Sequence, residues 1–552
     1  MPPPLLSRIS DYVDQYAERT PAAVALMSDA GSLTYGELAA AIARLAKALL
    51  AAGVGRGDRV ATLQTPCTDF IVAWMATASI GAIWVGLNPR YQRPELAFVL
   101  ADAEPAVLLT RTRIEERDFA DDLRALLEHA PAIRHVIVFD GDPVLDGMVG
   151  MTAFLEAGAV IDDGGLTAAR ARVAASDPCV IVYTSGSTGV PKGALLLHGA
   201  ICAFAVEQNR LWPVHPNRSL NFLPINHVGS LCDISMPCLA AGGALHLMER
   251  FDPEAATRLI DEAGLTLWGG VPSVLAMQME TEAYRAATMR SVQLIVWEGA
   301  SMPHGAIERL LEIGPPLATN YSMTESVSSI TALPPTRDLD VLAETVGSDF
   351  PGVEVRLIDE LGREVDRGAP GEVAIASPYL FGGYWRRPDE TAACFTKDGF
   401  FRTGDLAIRR ADGQLRLVGR LKEMFKSGGY NVYPREIERV LEDHPAVDQA
   451  AVVAVADPEW QEVGAAFVVT RDGLSAADLR AWCMDRLANY KRPKHFFVRS
   501  KLPLLPIGKV DKRALSRSAT QLVQAASARE PPKNMVRLGR TLPGNPGHGA
   551  GR

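Results

Sequence analysis

Residues 183–193 combine hydroxyl side chains, glycines and one lysine in the run YTSGSTGVPKG. Glycine and proline are unsuited to the interior of a helix or strand, so this run is predicted to be a loop. Glycines let backbone N–H groups approach an anion closely, hydroxyls donate hydrogen bonds, and Lys192 adds a positive charge. The composition therefore indicates a phosphate-binding loop. The alternative is a flexible turn in which Lys192 has no ligand.

Residue identity excludes the two best-known nucleotide loops. A Walker loop has the pattern G-x-x-x-x-G-K-[ST], whereas Lys192 follows a proline and precedes a glycine. Lys509 does follow a glycine, but a valine comes after it. The dinucleotide-binding pattern G-x-G-x-x-G is absent from the run as well. A phosphate-binding role would therefore place the loop in another class of nucleotide-binding protein.

The whole chain has 552 residues, more than one compact core holds, so two or more domains are expected. A net charge of −9 argues against a general nucleic-acid or anionic-membrane surface, but it allows a local basic pocket. The seven cysteines have no CxxC or zinc-type spacing, which predicts reduced thiols in a cytosolic protein. No secretory signal is visible at the start of the sequence.

Residues 70–87 (FIVAWMATASIGAIWVGL) form a stretch of 18 residues without a charge, close to the length of a membrane span. The stretch contains two hydroxyl residues and two glycines, and it divides naturally after Ile80. A buried helix followed by a buried strand, AIWVGL, is therefore the preferred interpretation over a transmembrane helix.

Apolar strand-like runs alternate with amphipathic stretches through most of the chain. Residues 33–53 are predicted to form a helix, because apolar residues recur at helical spacing at Leu38, Ile42, Leu45 and Leu49. Buried strands are predicted for RVATLQ, AVLLT, HVIVFD and CVIVYT. This alternation predicts an α/β fold with mainly parallel sheets and crossover helices.

The pattern changes twice towards the C-terminus. Around residues 350–420, GVEVRLID, GEVAIA, LAIRR and QLRLVG alternate apolar with polar residues, which predicts a small antiparallel, β-barrel-like part of the large N-terminal domain. We expect that domain to cover residues 1–420 and a small, mobile α+β domain to cover residues 421–516. Residues 517–552 are predicted to be a disordered tail, since their end is rich in proline and glycine.

The sequence resembles the adenylate-forming superfamily, in its acyl-CoA and aryl-CoA synthetase branch. The resemblance rests on YTSGSTGVPKG and on four further motifs in the same order, and with LTYGELA it spans residues 30–515. The further motifs are NYSMTES, FFRTGDLA, GRLKEMFKSGGYNVYPREIE and LPLLPIGKVDKRAL. The resemblance implies that ATP activates a carboxylic acid as an acyl adenylate, with release of pyrophosphate, and that coenzyme A then displaces AMP.

The resemblance also implies which residues bind ATP and Mg²⁺. Glu325 would help to hold Mg²⁺, a hard cation that prefers oxygen ligands, and Thr324 would reach the α-phosphate. Asp405 would accept hydrogen bonds from the ribose hydroxyls, with support from Arg420. The residues implied for the β- and γ-phosphates are Thr184, Ser185, Ser187, Thr188 and Lys192. Those implied for the rest of the nucleotide are Gly299, Ala300, Ser301, Asn320, Tyr321, Ser322 and Met323.

Two further sets of residues belong to the small C-terminal domain. Lys509 matches the lysine that meets the carboxylate and the α-phosphate during adenylation, although Ile507 replaces the usual threonine of that motif. Lys422 matches a hinge about which the domain rotates between the half-reactions. After rotation, the segment KSGGYN would line a channel for pantetheine, and it contributes Lys426, Gly428 and Gly429 to the implied cofactor-binding residues.

The pocket for the acid is the least determined part of the site. The resemblance places His227, Trp268, Val271, Trp297, Glu298 and Met323 there. His227 has the alternative of an ordinary loop residue, and the tryptophans have the alternative of core residues. Glu298 takes a position usually filled by a small residue, and Asp233 lies in an apolar segment, so either acid could contact a polar substrate group. Burying one without a partner would be costly.

The function that follows is an AMP-forming acid–CoA ligase acting on a medium- to long-chain fatty acid or an aryl acid. The alternatives are an acyl-AMP ligase that loads a carrier protein and a catalytically inactive nucleotide or acyl sensor. The expected partners are the acid, ATP, Mg²⁺ and coenzyme A, without nucleic acid or an integral membrane segment. A cytoplasmic location is expected, and a homodimer is an open alternative for the assembly.

Overall fold

The structure is a computed structural model that describes residues 2–140, 143–184, 190–471, 473–505 and 509–527. Three of the expected phosphate-loop residues, Ser185, Ser187 and Thr188, lie outside the described residues. In the described part, helices and strands alternate as the sequence predicts, and the chain has an α/β fold with mixed sheets and a separate C-terminal domain.

The helices of the described residues are α1 (Asp11–Arg19), α2 (Tyr35–Ala51), α3 (Thr68–Ser79), α4 (Arg93–Ala103), α5 (Ala120–Glu128), α6 (Met151–Ala157), α7 (Asp163–Arg170), α8 (His198–Leu211), α9 (Met236–Ala240), α10 (Pro253–Glu262), α11 (Pro272–Met279), α12 (Glu282–Ala286), α13 (His304–Glu312), α14 (Leu339–Glu344), α15 (Pro388–Ala392), α16 (Pro434–Glu442), α17 (Ala476–Met484) and α18 (Lys512–Ser527). Two 3₁₀ turns and a π-helical turn add Gly158–Val160, Thr324–Ser326 and Gly229–Ser235.

The strands are β1 (Val24–Ser28), β2 (Gly31–Thr34), β3 (Arg59–Leu63), β4 (Ile83–Leu87), β5 (Val107–Thr110), β6 (Arg113–Ile114), β7 (Arg117–Asp118), β8 (His135–Val138), β9 (Met148–Gly150), β10 (Pro178–Thr184), β11 (Lys192–Leu197), β12 (Arg218–Asn221), β13 (Ala244–Leu247), β14 (Leu267–Gly270), β15 (Leu294–Trp297), β16 (Leu317–Ser322), β17 (Ser329–Ala332), β18 (Ser348–Asp349), β19 (Glu354–Ile358), β20 (Gly371–Ala376), β21 (Phe401–Arg409), β22 (Leu415–Arg420), β23 (Phe425–Ser427), β24 (Tyr430–Val432), β25 (Val447–Asp457), β26 (Gln461–Thr470) and β27 (His495–Arg499).

Two sheets position most of the site. The seven-stranded sheet has the order β11-β10-β4-β3-β5-β8-β9, and only β11 runs antiparallel to its neighbour. The five-stranded sheet, β14-β15-β16-β17-β18, begins with three parallel strands. Both follow from the sequence, because strands that are apolar on both faces are buried between crossover helices. A third sheet, β12-β13-β1-β2, completes this part of the molecule.

The predicted helix over residues 33–53 is confirmed as α2. Thr34 and Glu37 form a capping box at its N-terminus, which satisfies backbone donors that the helix leaves open. Leu38, Ile42 and Leu49 are buried in the core on its apolar face.

The apolar stretch over residues 70–87 is confirmed as a buried helix and strand. It forms α3 and β4, and its two tryptophans, Trp74 and Trp84, are fully buried. In the described part of the chain, no helix is both long and apolar enough to cross a membrane.

The antiparallel section near residues 350–420 is also confirmed, but it does not close into a barrel. Strands β19, β20, β21 and β22 form a four-stranded antiparallel sheet in sequence order, and β19 and β22 are its open edges within the described residues. Closure would require β19 and β22 to pair with each other, and the sheet order places them at opposite edges.

The C-terminal domain has its own sheet of β23, β24, β25, β26 and β27, with α16 and α18 packed near β25. The prediction of a disordered tail from residue 517 is wrong as far as Ser527, because α18 continues to that residue. Leu515 and Ala519 of α18 are buried against this sheet. Their helical spacing was present in the sequence but was outweighed by the polar, proline-rich residues that follow. Residues 528–552 lie outside the described residues.

The docking of α18 generates a stability prediction. Leu515→Ala should lower the local unfolding free energy of α18 and β25 by about 2–5 kcal/mol, because it removes a side chain buried in the core. Hydrogen exchange resolved along the chain measures this quantity. Leu504→Ala is the matched control, since Leu504 is 47% exposed and its loss should change the free energy by less than about 0.5 kcal/mol. Equal effects of the two substitutions would contradict the docking.

Candidate active site

Lys509 reaches into the large domain and lies against Gly299. Gly299 follows β15 with a φ of +81°, and a Cβ added there would lie 3.0 Å from Cε and 3.5 Å from Nζ of Lys509. A side chain at position 299 would therefore strain the backbone and crowd the lysine. The structure thus brings together two residues that the sequence assigned to one site across more than 200 positions.

Burial lowers the pKa of the Lys509 amine. Burial has the largest effect, and the positive charge of Arg420 acts in the same direction, whereas Glu298 and Asp405 oppose it. The pKa of Lys509 therefore lies below the ordinary lysine value. A partly desolvated cation interacts more strongly with a phosphate or carboxylate than one in water does.

His227 lies beside this lysine. Its Nδ1 accepts a hydrogen bond from the backbone N–H of Gly229 at 3.0 Å, so the proton of the neutral ring is on Nε2. Burial and the charge of Lys509 lower the pKa of His227 to about 4. His227 is therefore a neutral hydrogen-bond donor at physiological pH, which suits contact with an anionic group without adding charge.

Asp233, which is buried, and Glu298, which is half-buried, form a pair of carboxyl groups. Asp233 lies in the π-helical turn, a geometry that is frequent at functional sites, and accepts a hydrogen bond from Ser328 Oγ. Asn320 Nδ2 lies 3.5 Å from Glu298 Oε2. Burial raises the pKa of both acids, and the charge of Glu298 raises the pKa of Asp233 further. Loss of a proton from either acid is therefore disfavoured by burial, and the two carboxyl groups oppose each other's ionisation.

Asp405 organises the expected ribose-binding surface. Tyr321 Oη donates a hydrogen bond of 2.6 Å to Asp405 Oδ2, and Arg420 Nε lies 2.9 Å from Asp405 Oδ1. Asp405 and Arg420 are direct cross-strand partners on β21 and β22. Each carboxylate oxygen has a second lone pair, so Asp405 can still accept hydrogen bonds from two hydroxyls of a ligand.

Glu325 and Lys192 are both held by a segment that the sequence reasoning missed. Tyr384 Oη donates a hydrogen bond of 2.7 Å to Glu325 Oε1, and the Tyr384 ring centroid lies 5.0 Å from Lys192 Nζ. The same ammonium group forms an ion pair with Glu390 Oε2. No local pattern links these residues, because Tyr384 and Glu325 are 59 positions apart.

The turn that carries Thr324 and Glu325 is strained. Val327, which directly follows it, has a φ of +64° although it is β-branched and fully buried. Side chains of this type rarely adopt a positive φ, and such strain is concentrated at functional sites. The geometry supports a functional role for this turn.

The described residues fit the ligands that the resemblance implies. Asn320 is buried, and its Oδ1 has no hydrogen-bond partner among the described residues. An amino group such as that of adenine would satisfy this acceptor. The buried carboxylate of Glu325 supplies the oxygen chemistry that Mg²⁺ prefers.

The other residues expected at the nucleotide site lie at the ends of strands and in the segments that follow them. Gly299, Ala300 and Ser301 are exposed after β15, Ser322 ends β16, and Met323 and Thr324 are half-buried. Thr184 ends β10 opposite Lys192, with its Oγ1 3.4 Å from the carbonyl oxygen of Lys192.

The acid-pocket candidates divide into two groups. Trp268 and Trp297 pack in one core cluster, and Trp268 Nε1 donates a hydrogen bond to Gln278 Oε1, so both have the environment of core residues. Val271 is different, because its Cγ1 would lie 3.6 Å from a Cβ at Gly299. Glu298 Oε1 would lie 3.4 Å from a Cβ added to Gly229, and His227 Nδ1 would lie 3.0 Å from the same Cβ.

The hairpin of β23 and β24 stays within the C-terminal domain. The backbone N–H of Lys426 donates to Glu462 Oε2, and a Cβ on Gly428 would lie 2.9 Å from Cε3 of Trp460. Gly429 and Lys422 are exposed. Lys509, not this hairpin, is therefore the part of the C-terminal domain at Gly299, which is the arrangement expected for the first half-reaction.

Comparison with known proteins identifies the class of the fold and site. Residues 13–385 match the family described as AMP-binding enzyme, and residues 436–509 match the AMP-binding enzyme C-terminal domain. The amide bond synthetase McbA from Marinactinospora thermotolerans has a similar structure, with a TM-score of 0.82, 30% identity, and coverage of 93% of this chain and 100% of McbA.

Two relatives are similar over nearly their whole length. The chain is 35% identical to a feruloyl-CoA synthase from an Amycolatopsis species over 91% of its length and 97% of the relative. It is 34% identical to the indoleacetate–CoA ligase of Aromatoleum aromaticum over 91% of its length and 96% of the relative. The chain therefore belongs to the adenylate-forming enzymes of the AMP-binding family, in the acyl-CoA synthetase branch.

The environment of Lys509 generates a pH prediction. If the protonated amine is required for adenylation, kcat/KM for ATP should fall as the pH rises. The midpoint of this fall should lie below the ordinary lysine pKa of about 10.4. Exchange of labelled pyrophosphate into ATP, without coenzyme A, measures this profile. Lys509→Arg should move the alkaline limb upwards, since a guanidinium stays protonated. A limb that does not move would assign the titration to another group.

Proposed function

We propose that the protein is an AMP-forming acid–CoA ligase that activates a carboxylic acid with ATP and transfers the acyl group to coenzyme A. The observation that carries the proposal is the position of Lys509 against Gly299, within electrostatic reach of Glu298, Asp405 and His227. A cation is needed at this point, because negative charge moves between the carboxylate and the α-phosphate during adenylation.

In the first half-reaction, a carboxylate oxygen forms a bond to the α-phosphorus and the bond to the β-phosphate oxygen breaks, so pyrophosphate leaves. Lys509 would contact the carboxylate and the α-phosphate, and Thr324 would donate to the same phosphate. Asp405 and Arg420 would hold the ribose, and Lys192 would steady the departing pyrophosphate. Mg²⁺, held by Glu325 and phosphate oxygens, would neutralise charge on the phosphates.

In the second half-reaction, the thiol of coenzyme A loses its proton to solvent and its sulfur bonds to the acyl carbon, while the bond from that carbon to the phosphate oxygen breaks and AMP leaves. Lys509 occupies the cleft in the present arrangement, so the C-terminal domain would have to rotate to admit the thiol. Lys422 is the proposed hinge, and the exposed hairpin with Lys426, Gly428 and Gly429 is the proposed wall of the pantetheine channel.

The acid is proposed to be an aryl or a medium- to long-chain carboxylic acid. Two relatives are named for aromatic acids, feruloyl and indoleacetate, which favours the aryl alternative. Glu298 would favour the same choice if its side chain, whose Oε1 lies 3.4 Å from the point where a Cβ on Gly229 would be, limits the depth of the acid pocket. Val271 and Met323 would provide apolar contacts.

The carrier-protein and sensor alternatives are separated by one experiment. AMP release is measured with a panel of aryl and fatty acids, with and without coenzyme A. The proposal predicts acid-dependent AMP release that coenzyme A accelerates, with formation of the thioester. No AMP with any acid despite ATP binding would favour a sensor, and acceleration by a carrier protein alone would favour the acyl-AMP ligase.

Lys509→Ala separates the half-reactions in the same assay. Adenylation should fall by about 10²- to 10³-fold, because a cation at the reacting phosphate is lost. Thioester formation from supplied acyl adenylate and coenzyme A should be largely retained. Lys501→Ala, at an exposed lysine of the same domain, is the control and should affect neither step. An equal loss in both steps of Lys509→Ala would contradict its assigned role.

The position of Glu298 generates a prediction about acid selectivity. Glu298→Gly should deepen the pocket and change the ratio of kcat/KM between long-chain and aryl acids by about tenfold or more. Glu298→Gln separates size from charge, because it keeps the length of the side chain. Glu360→Gly, at an exposed turn residue, is the matched control. An unchanged acid profile in Glu298→Gly would remove Glu298 from the pocket.

A further inference from the structure

The ammonium group of Lys192 already has an anionic partner in the protein. It forms an ion pair with Glu390 Oε2, and within the described part of the chain no other carboxylate lies within 4.0 Å of it. The Lys192 side chain is 15% exposed and the Glu390 side chain is 41% exposed. The cation expected to meet the β- and γ-phosphates is therefore neutralised by a carboxylate at the edge of the site.

The position of Glu390 is set by one continuous stretch, residues 381–390. Its backbone runs beside β11, since the N–H of Leu195 donates to the carbonyl of Gly383 and the N–H of Trp385 donates to that of Gly193. Its first residue, Phe381, donates to the carbonyl of Glu325 at 2.8 Å. The stretch thus contacts both the lysine expected to hold phosphates and the carboxylate expected to hold Mg²⁺.

Two side chains of this stretch, Tyr384 and Glu390, contact Glu325 or Lys192. Tyr384 holds Glu325 through its hydroxyl group and lies under Lys192 with its ring, whereas Glu390 holds the Lys192 charge. Glu390 is also 3.7 Å from Arg387 Nη1, and Arg387 pairs with Asp102 at 3.0 Å. Glu390 therefore keeps a second cationic neighbour if Lys192 leaves it.

We propose that Glu390 is a positioning residue whose carboxylate pairs with the Lys192 ammonium group until the β- and γ-phosphates of ATP displace it. The same ion pair forms again as pyrophosphate leaves. This inference rests on the proposed function in one respect, the assignment of Lys192 to the triphosphate. The Glu390 carboxylate and the phosphates compete for the ammonium group of Lys192. Glu390 should therefore weaken the binding of pyrophosphate and ATP, and thereby favour pyrophosphate release.

The test is the dissociation constant of magnesium pyrophosphate and of magnesium ATP, measured by calorimetry with the full-length protein in the absence of acid. Glu390→Gln removes the charge and keeps the shape of the side chain. Both dissociation constants should fall by about two- to fivefold, the range expected for a partly exposed ion pair. Unchanged or weaker binding would overturn the proposal, because it would mean that Glu390 does not compete or that it orients Lys192 for the phosphates.

A double substitution tests whether the effect acts through Lys192. In a Lys192→Gln background, Glu390→Gln should no longer tighten binding, because there is no ammonium group to release. Tightening that persists there would overturn the proposal in favour of general repulsion between Glu390 and the phosphates. Asp163→Asn is the matched control: it removes a carboxylate that pairs with a surface lysine, Lys47, at 2.8 Å, and it should leave both constants unchanged.

The outcomes also separate this proposal from the proposed function. A wild-type protein that binds neither pyrophosphate nor ATP would remove the ligase function and the inference together. A wild-type protein that binds both, with constants that Glu390→Gln leaves unchanged, would remove the inference alone.

Discussion

The carboxylate of Asp405 joins the parts of the structure on which the site depends. One oxygen accepts from Tyr321 of the five-stranded sheet, and the other pairs with Arg420 at the end of the antiparallel sheet. Arg420 is also the last residue of β22. This single group therefore fixes the relation between two sheets and the start of the chain segment that brings Lys509 to the site.

Charge balance around Lys509 follows from that arrangement. Arg420 and burial make its ammonium group less stable, while Glu298 and Asp405 make it more stable. Glu298 in turn interacts with Asp233, and burial raises the pKa of both acids. Under the proposed function, a substrate carboxylate would approach Lys509 beside His227, which is neutral because its pKa is lowered to about 4. The same competition for a cation recurs at Lys192 and Glu390.

Much of the fold could be predicted from the sequence, for reasons that particular elements make clear. The predictions of helix α2 and of the α3–β4 pair are confirmed, because the spacing of apolar residues and the length of an apolar run indicate burial within a single element. The start of the tail was wrong because Leu515 and Ala519 gain their burial from strands some 50 to 70 positions earlier in the chain. The alternation of apolar and polar residues within each strand could not show whether the sheet closes into a barrel. Closure depends on which strands pair and on the curvature of the whole sheet.

By itself, the sequence determined which chemical groups are present and in what order: the phosphate-loop run, Glu325, Asp405, Arg420 and Lys509. Their types limit the chemistry, and their order identifies the family. Only the tertiary structure decided that Trp268 and Trp297 are core residues, that Glu298 shares its environment with Asp233, and that Glu390 holds Lys192. The physical reason is that hydrophobic spacing and turn chemistry act over a few residues, whereas these pairings depend on how separate elements pack.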